Sequence, residues 1–145
     1  MICDEPRKTV LVCVTPQQSS KKLVEAGKAL AAKNDCDLEV ISVLPMNFDG
    51  DASVPQAIEC IYRFAKQSGA QMAIYFNNDP ALTVAAHAAV RKPLLLVTGF
   101  PGEDSNDFIS TIHLLMPELP ISMVGADALI YNMLPFDASF MPMNV

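Results

Sequence analysis

The stretch that decides the fold is Thr9-Val-Leu-Val-Cys-Val14, which continues as Thr15-Pro-Gln-Gln-Ser-Ser20. Its first half is an almost uninterrupted apolar run, which is typical of a parallel strand covered on both faces. Pro16 ends this strand, and the apolar residues from Leu23 onward recur at helical spacing, with Ser19 or Ser20 as the candidate N-cap. The sequence therefore predicts a buried strand, a short polar loop and an amphipathic helix.

The same alternation of strand and helix continues along most of the chain. A capping box at Ser53 and Gln56, and Asp79 before Pro80, mark two further helix starts, and Phe108 to Leu115 forms another helical pattern. The later strands are predicted at 38–44, 72–76, 94–97 and 120–124. The residues of the second helix expected to face inward are Ala57, Ile58, Ile61, Tyr62 and Ala65. Five strands and four helices predict a three-layer α/β/α domain with a parallel sheet, although the pattern alone does not give the strand order.

The composition indicates one folded domain over residues 1–145, since 51% of the residues are hydrophobic and only 18% are charged. A net charge of −6 argues against general nucleic-acid binding, which needs clustered Lys and Arg. No apolar run has membrane-spanning length, and the first residues lack the apolar stretch of a signal peptide. The four cysteines show no C-x-x-C spacing. We therefore expect a cytoplasmic protein with reduced thiols, in which Cys13 is buried and inert.

Three short stretches resemble the universal stress protein (UspA) family. Val10 to Ser20, with Leu23 and Ala29-Leu-Ala31, resembles its first strand and helix, and is nearest to the version found in osmosensitive potassium-channel sensor kinases. Asn78-Asp-Pro80 stands where the family often has Gly-Asp-Pro, and Leu95 to Gly102 resembles the fourth strand and its Gly-x-x-Gly. The resemblance covers roughly the first 125 residues. It implies a five-stranded parallel sheet of order 3-2-1-4-5, of the adenine nucleotide alpha hydrolase-like type.

In that order, strands one and four are neighbours whose helices leave on opposite faces, which is where open α/β sheets bind ligands. A helix N-terminus offers unpaired N–H groups to an anion, and Gly99 and Gly102 let the backbone approach it. The resemblance implies ATP or another adenine nucleotide, with the adenine near Val43 and Leu44 and the phosphates near Ser19 and Gly102. The candidate nucleotide-binding residues are Thr15, Pro16, Gln17, Ser19, Ser20, Val43, Leu44, Thr98, Gly99, Gly102 and Ser105.

The chain also departs from the ATP-binding members of the family. Those members usually end the first strand with Asp, where this chain has Thr15. Their second glycine is followed, after nine further residues, by Gly and then Ser or Thr, whereas this chain has Ile112 and His113. Carboxylates in between would repel a triphosphate unless a divalent cation intervened, since like charges a few ångströms apart repel even in water. These carboxylates are Glu103, Asp104 and Asp107.

Two functions from different classes remain open. One is a stress-response regulator that binds a nucleotide or a similar small anion, and the other is an interaction module that kept the fold and lost the ATP site. A nucleotide hydrolase with Mg²⁺ on the acidic loop is less favoured, because no Ser-His-Asp order, G-x-S-x-G, G-x-G-x-x-G or Walker A motif supplies a catalytic residue. His87 and His113 have no partner at metal-ligand spacing, so packed or solvated histidines are favoured and no metal is expected without nucleotide.

The C-terminal tail, residues 126–145, is rich in large apolar side chains. It contains Leu129-Ile-Tyr-Asn-Met-Leu134 and Phe140-Met-Pro-Met143, with Asp127 and Asp137 as the exceptions. A monomer rarely exposes such a surface, and the last strand of a sheet offers unpaired backbone groups to a partner. Together with the resemblance, this predicts a homodimer through strand five and the tail. The alternative is that the tail folds back over its own sheet.

Overall fold

The computed structural model describes residues 8–14, 20–46, 53–99, 107–125, 127 and 129–135. They form a six-stranded sheet of order β3-β2-β1-β4-β5-β6. The strands are β1 (Thr9–Val14), β2 (Asp37–Leu44), β3 (Gln71–Phe76), β4 (Leu95–Gly99), β5 (Ile121–Val124) and β6 (Ile130–Met133). The helices are α1 (Ser20–Lys33), α2 (Ser53–Gln67), α3 (Pro80–Arg91) and α4 (Asp107–Leu115).

The first five strands are parallel and confirm the order implied by the resemblance. The sixth strand was not predicted. It pairs antiparallel with β5, with Val124 opposite Ile130 and Ile121 opposite Met133. The prediction that strand five is an edge strand is therefore wrong, because residues 130–133 fold back and satisfy its outer backbone groups. The rest of the tail, residues 136–145, lies outside the described part.

Side chains alternate between two cores, one on each face of the sheet, because successive residues of a strand point to opposite faces. Val10, Val12 and Val14 of β1 pack toward the residues of α1 and α2. Leu11 and Cys13 pack toward α3 and α4. Residues 10–14 are all buried, so β1 is the covered central strand that its apolar run predicts.

Local signals set most helix boundaries correctly. The carboxylate of Asp79 accepts a hydrogen bond from the Leu82 N–H at 3.1 Å, and Pro80 occupies the first turn of α3, as predicted. Gly69, just beyond α2, has a φ of 73°, which glycine adopts without strain. The predicted inner face of α2 is right for Ile61, which is buried, but wrong for Tyr62, which is 51% exposed.

Helix α1 lies unusually close to the central strand. Gly27 is buried on its inner face, and a β-carbon there would overlap the side chain of Val12 and contact Leu38. The absence of a side chain at this position therefore lets α1 pack directly on β1 and β2. This close packing holds the start of α1 near the carboxyl end of β1.

Candidate functional site

The carboxyl ends of β1 and β4 form the predicted crevice. The two strands are hydrogen-bonded neighbours, with Val10 opposite Leu95 and Val12 opposite Val97. Helix α1, which follows β1, packs on one face of the sheet, whereas α4, which follows β4, packs on the other. The connections therefore diverge between β1 and β4, which is the arrangement that opens a ligand crevice at the edge of a parallel sheet.

The structure describes four predicted site residues in full at this edge. Val43 and Leu44 end β2 and are buried, with Leu44 only 1% exposed and its carbonyl oxygen accepting from the Asn77 N–H at 2.8 Å. Thr98 is buried near the end of β4, and the next residue, Gly99, is half-buried. A β-carbon at Gly99 would meet Leu23 at 3.9 Å, an ordinary van der Waals contact. Among the described residues, a β-carbon at Gly99 therefore meets no close contact.

The other predicted site residues are not described, or only in part. Ser20 begins α1, but its side chain is not among those described. The residues outside the described part are Thr15, Pro16, Gln17, Ser19, Gly102 and Ser105.

One polar atom near the crevice lacks a partner. Ser42 is fully buried in β2 and lies opposite Val14, the last described residue of β1. Among the described residues, no group bonds its Oγ. A buried hydroxyl without a hydrogen bond is costly, by about 1–3 kcal/mol in mutational studies, so a polar partner near this position would be favourable.

The two positions that hold phosphates in ATP-binding family members serve a different purpose here. Ile112 is fully buried and belongs to the core beneath α4. His113, the next residue, is exposed, as the solvated reading of this histidine predicted. The chain therefore has isoleucine rather than glycine at position 112 because this side chain fills the core beneath α4.

The described cysteines and acidic residues offer no obvious chemistry at the crevice. Burial raises the pKa of the Cys13 thiol to about 12, so this residue stays protonated and unreactive, as expected. In the described ranges, three or more His, Cys, Asp or Glu side chains nowhere cluster as a metal would require. Likewise, the helices described there are too short or too polar to cross a bilayer.

Comparison with known proteins supports the architecture. No protein-family model matches the chain, and no curated protein matches it either. Among solved structures, a universal stress protein in complex with cAMP matches with a TM-score of 0.61 and 16% identity, over 82% of this chain and 97% of that one. The fold is that of the universal stress proteins.

Two further universal stress proteins give similar matches. One from Burkholderia pseudomallei has a TM-score of 0.59 and 17% identity, over 81% of this chain and 96% of its own. One from Archaeoglobus fulgidus, in complex with dAMP, has a TM-score of 0.59 and 11% identity, over 79% of this chain and 94% of its own. At these identities the likeness establishes the shared fold.

A buried polar network on β2, β3 and α3 was missed in the sequence. The hydroxyl of Tyr75 lies 2.9 Å from Nδ1 of His87, and Nε2 of His87 lies 3.1 Å from Oε1 of Glu39. The guanidinium of Arg91 donates to Oε2 of Glu39 at 3.0 Å and to Gln71 at 3.3 Å. Two local signals point to it: Glu39 interrupts an apolar strand, and His87 interrupts an alanine-rich helix.

Glu39 is the charged centre of this network. Burial alone would raise its pKa, but hydrogen bonds from Arg91 and His87, with their charges, outweigh that effect and hold the pKa of Glu39 below its usual value. The carboxylate is therefore ionised at neutral pH although it is only 4% exposed. His87 is packed as the sequence favoured, but it is bonded on both ring nitrogens.

Proposed function

We propose that this chain is a universal stress protein-like regulator that binds an adenine nucleotide, or a similar small anion, between the carboxyl ends of β1 and β4. The observation that carries the proposal is the strand order, which makes β1 and β4 neighbours with α1 and α4 on opposite faces. The solved structures of two proteins of the same fold are complexes with cAMP and with dAMP. The hydroxyl of Ser42, beside the end of β1 and without a partner among the described residues, further supports a polar ligand at this edge.

A nucleotide with one phosphate group suits this chain better than ATP. The positions that hold further phosphates in ATP-binding members are a core isoleucine, Ile112, and an exposed histidine, His113. The acidic residues of 103–107 would also repel a triphosphate more strongly than a monophosphate, because Coulomb repulsion grows with ligand charge. We therefore place AMP, dAMP and cAMP ahead of ATP as ligands. No metal is required for a ligand of this low charge.

The test is binding to the purified full-length chain. Mass spectrometry after denaturation would detect a retained nucleotide, and thermal unfolding with added AMP, cAMP or ATP would detect binding through stabilisation. A ligand at 100 times its Kd stabilises the folded state by about 2.7 kcal/mol. We expect this stabilisation with AMP or cAMP, and less with ATP.

A matched pair of variants at Gly99 locates the site. Gly99→Asp adds a negative charge where a phosphate is expected, whereas Gly99→Asn adds a side chain of the same size without charge. The β-carbon of either side chain meets only an ordinary contact among the described residues. Both side chains obstruct the approach of the backbone, but only Asp adds charge, so we expect the Asp variant to bind more weakly than the Asn variant. Unchanged binding by both variants would place the ligand elsewhere, and no binding by the native chain would refute the proposal.

Two finer features of this function follow from the resemblance: a role in the stress response, and a relation to the domain of potassium-channel sensor kinases, which depends on residues 10–31. A cytoplasmic location follows from the cysteine pattern and the character of the apolar stretches. They remain predictions.

A second candidate function, a dimeric interaction module, is favoured by the exposed outer strand. β6 ends the described sheet, and Ile130 and Tyr131 on it are 44% and 40% exposed. Leu129 and Leu134 flank it and are also exposed, and residues 129–134 carry no charge. An uncharged apolar edge strand invites pairing with another strand. We infer a homodimer in which β6 of the tail, rather than β5, makes the contact.

A further inference from the structure

A groove runs along the outer side of the sheet, between edge strand β3 and helix α3. Its volume is about 870 Å³, and it is open to solvent. Apolar and polar side chains both line it, and the hydrogen-bonded residues Tyr75, His87 and Glu39 are among them. The apolar residues are Met72, Ala73, Leu82, Ala86 and Val90, and the other polar residues are Gln71, Asn77, Thr83 and Arg91. A groove of this size with apolar walls and a few convergent polar groups is typical of a small-molecule site.

The hydrogen bonds define one tautomer for the neutral form of His87. Ionised Glu39 only accepts hydrogen bonds, so in that form Nε2 of His87 carries the proton and donates it to Oε1. Nδ1 of His87 then has a free lone pair and accepts from the Tyr75 hydroxyl at 2.9 Å. Arg91 holds the second oxygen of Glu39, so the carboxylate cannot rotate freely. The result is a hydrogen-bonded series in which the Glu39 carboxylate orients His87 and His87 faces the Tyr75 hydroxyl.

This order of groups has the geometry of an activated nucleophile. A nucleophile and its base normally lie within 2.6–3.2 Å, and a third group orients the base. Tyr75 and His87 meet that distance, as do His87 and Glu39. Tyr75 is also 39% exposed and lines the groove, whereas His87 and Glu39 are buried. Tyr75 is therefore the most exposed of the three residues, although His87 and Glu39 also line the groove.

We propose that Tyr75 is a nucleophile that accepts an acyl group from an activated acyl donor bound in this groove, with His87 as its general base and Glu39 as a positioning residue. In the reaction, the bond from Tyr75 Oη to the acyl carbon forms and the bond from that carbon to the leaving group breaks. The phenolic proton passes to Nδ1 of His87 and then to the leaving group. The products are O-acyl-Tyr75 and the protonated leaving group, so atoms and electrons balance.

The apolar part of the groove indicates the class of acyl group. Its alanine, leucine and valine side chains favour a short aliphatic or aryl acyl chain. The groove lies on edge strand β3, which is separated from β1 by β2, and Tyr75 lies on the α3 face beside Val43, a residue predicted to lie near the adenine. The proposed acyl transfer itself uses no residue of β1 or β4.

A comparison of tyrosines provides the test, since among the described residues only Tyr75 is hydrogen-bonded to a histidine. Tyr62 is the control, because it is more exposed than Tyr75, at 51%. Tyr131 is unsuitable as a control, because its hydroxyl donates to Asp127 and it lies on the strand inferred to form the dimer contact. We would treat the full-length protein with N-acetylimidazole, whose acetyl group transfers to phenols, and measure the rate at each tyrosine by mass spectrometry of peptides. General-base assistance is typically worth 10²–10⁴-fold. We expect acetylation of Tyr75 to be about 100-fold faster than that of Tyr62.

Two variants assign the roles. His87→Gln retains a donor to Glu39 but removes the base, so the advantage of Tyr75 should disappear while Tyr62 reacts as before. Glu39→Gln should reduce the advantage partly, with circular dichroism confirming that α3 is intact. Acetylation of Tyr75 no faster than that of Tyr62 in the native protein would overturn the proposal, whatever the variants do. A fast Tyr75 in folded His87→Gln would overturn it as well.

Discussion

Ile112 stands where the resemblance to ATP-binding universal stress proteins implies a phosphate-holding glycine. Replacing Ile112 by glycine would restore that residue. The structure predicts that the change unfolds the protein more readily, because Ile112 is fully buried within α4. Truncating a buried Ile to Ala costs about 2–5 kcal/mol, and Ala to Gly inside a helix costs about 1 kcal/mol more. The expected loss in the free energy of unfolding is therefore about 3–6 kcal/mol, a large part of the roughly 5–15 kcal/mol typical of a domain.

Urea unfolding followed by circular dichroism measures this loss through linear extrapolation. His113→Ser is the matched control. It completes the other half of the same motif at an exposed position, so it should change stability by less than about 0.5 kcal/mol. A loss below about 1 kcal/mol for Ile112→Gly would show that α4 does not pack as described. Ile112 would then not exclude a triphosphate from this position.

Two further predictions concern the outer strand and the buried carboxylate. Tyr131→Lys places a charge on β6, so sedimentation should show a dimeric native chain and a monomeric variant. Ile74→Lys, on the opposite edge of the sheet, is the control and should leave the dimer intact. A native monomer, or a dimeric Tyr131→Lys variant, would contradict the inferred dimer. The pKa of Glu39 is lower in the folded protein than its ordinary value of 4.5, so at a pH above 4.5 the ionised carboxylate stabilises the fold. This stabilisation is lost as the pH falls through the pKa that Glu39 has in the folded protein. The difference in unfolding free energy between the native chain and Glu39→Gln should therefore shrink between pH 7 and the acid range, and a constant difference would contradict this linkage.

Local chemistry explains why much of the fold could be predicted from the sequence. The apolar run of β1 and the cap at Asp79 depend on residues close together in the chain, and both agree with the structure. The strand order came from the resemblance, since the alternation of strands and helices allows several orders. For the proposed ligand crevice, the same order placed β1 beside β4 correctly.

Long-range pairing explains what the sequence did not reveal. β6 pairs with β5 after a short reversal, and the register that satisfies the edge of β5 appears in no local pattern of the tail. The network joins Glu39 to His87 across 48 residues and His87 to Tyr75 across 12. The polar residues Glu39 and His87 were visible within apolar segments of the sequence, but the distances between their side chains depend on how α3 packs on β2 and β3. Tyr62 was misplaced because helical spacing alone does not tell how wide the covered face of α2 is.

The cost of burying Glu39 bears on what the network is for. Removing a carboxylate from water is expensive, and apolar residues of similar volume often replace buried ion pairs with no loss of stability, or with a gain. Position 39 lies between Leu38 and Val40 in a strand whose other positions from 38 to 44, except Ser42, are apolar, so an apolar side chain would suit it. Stability alone therefore gives little reason for a carboxylate, a histidine and a tyrosine to be bonded in series beside an open groove. Activation of the Tyr75 hydroxyl gives Glu39, His87 and Tyr75 each a role, and it accounts for the greater exposure of Tyr75.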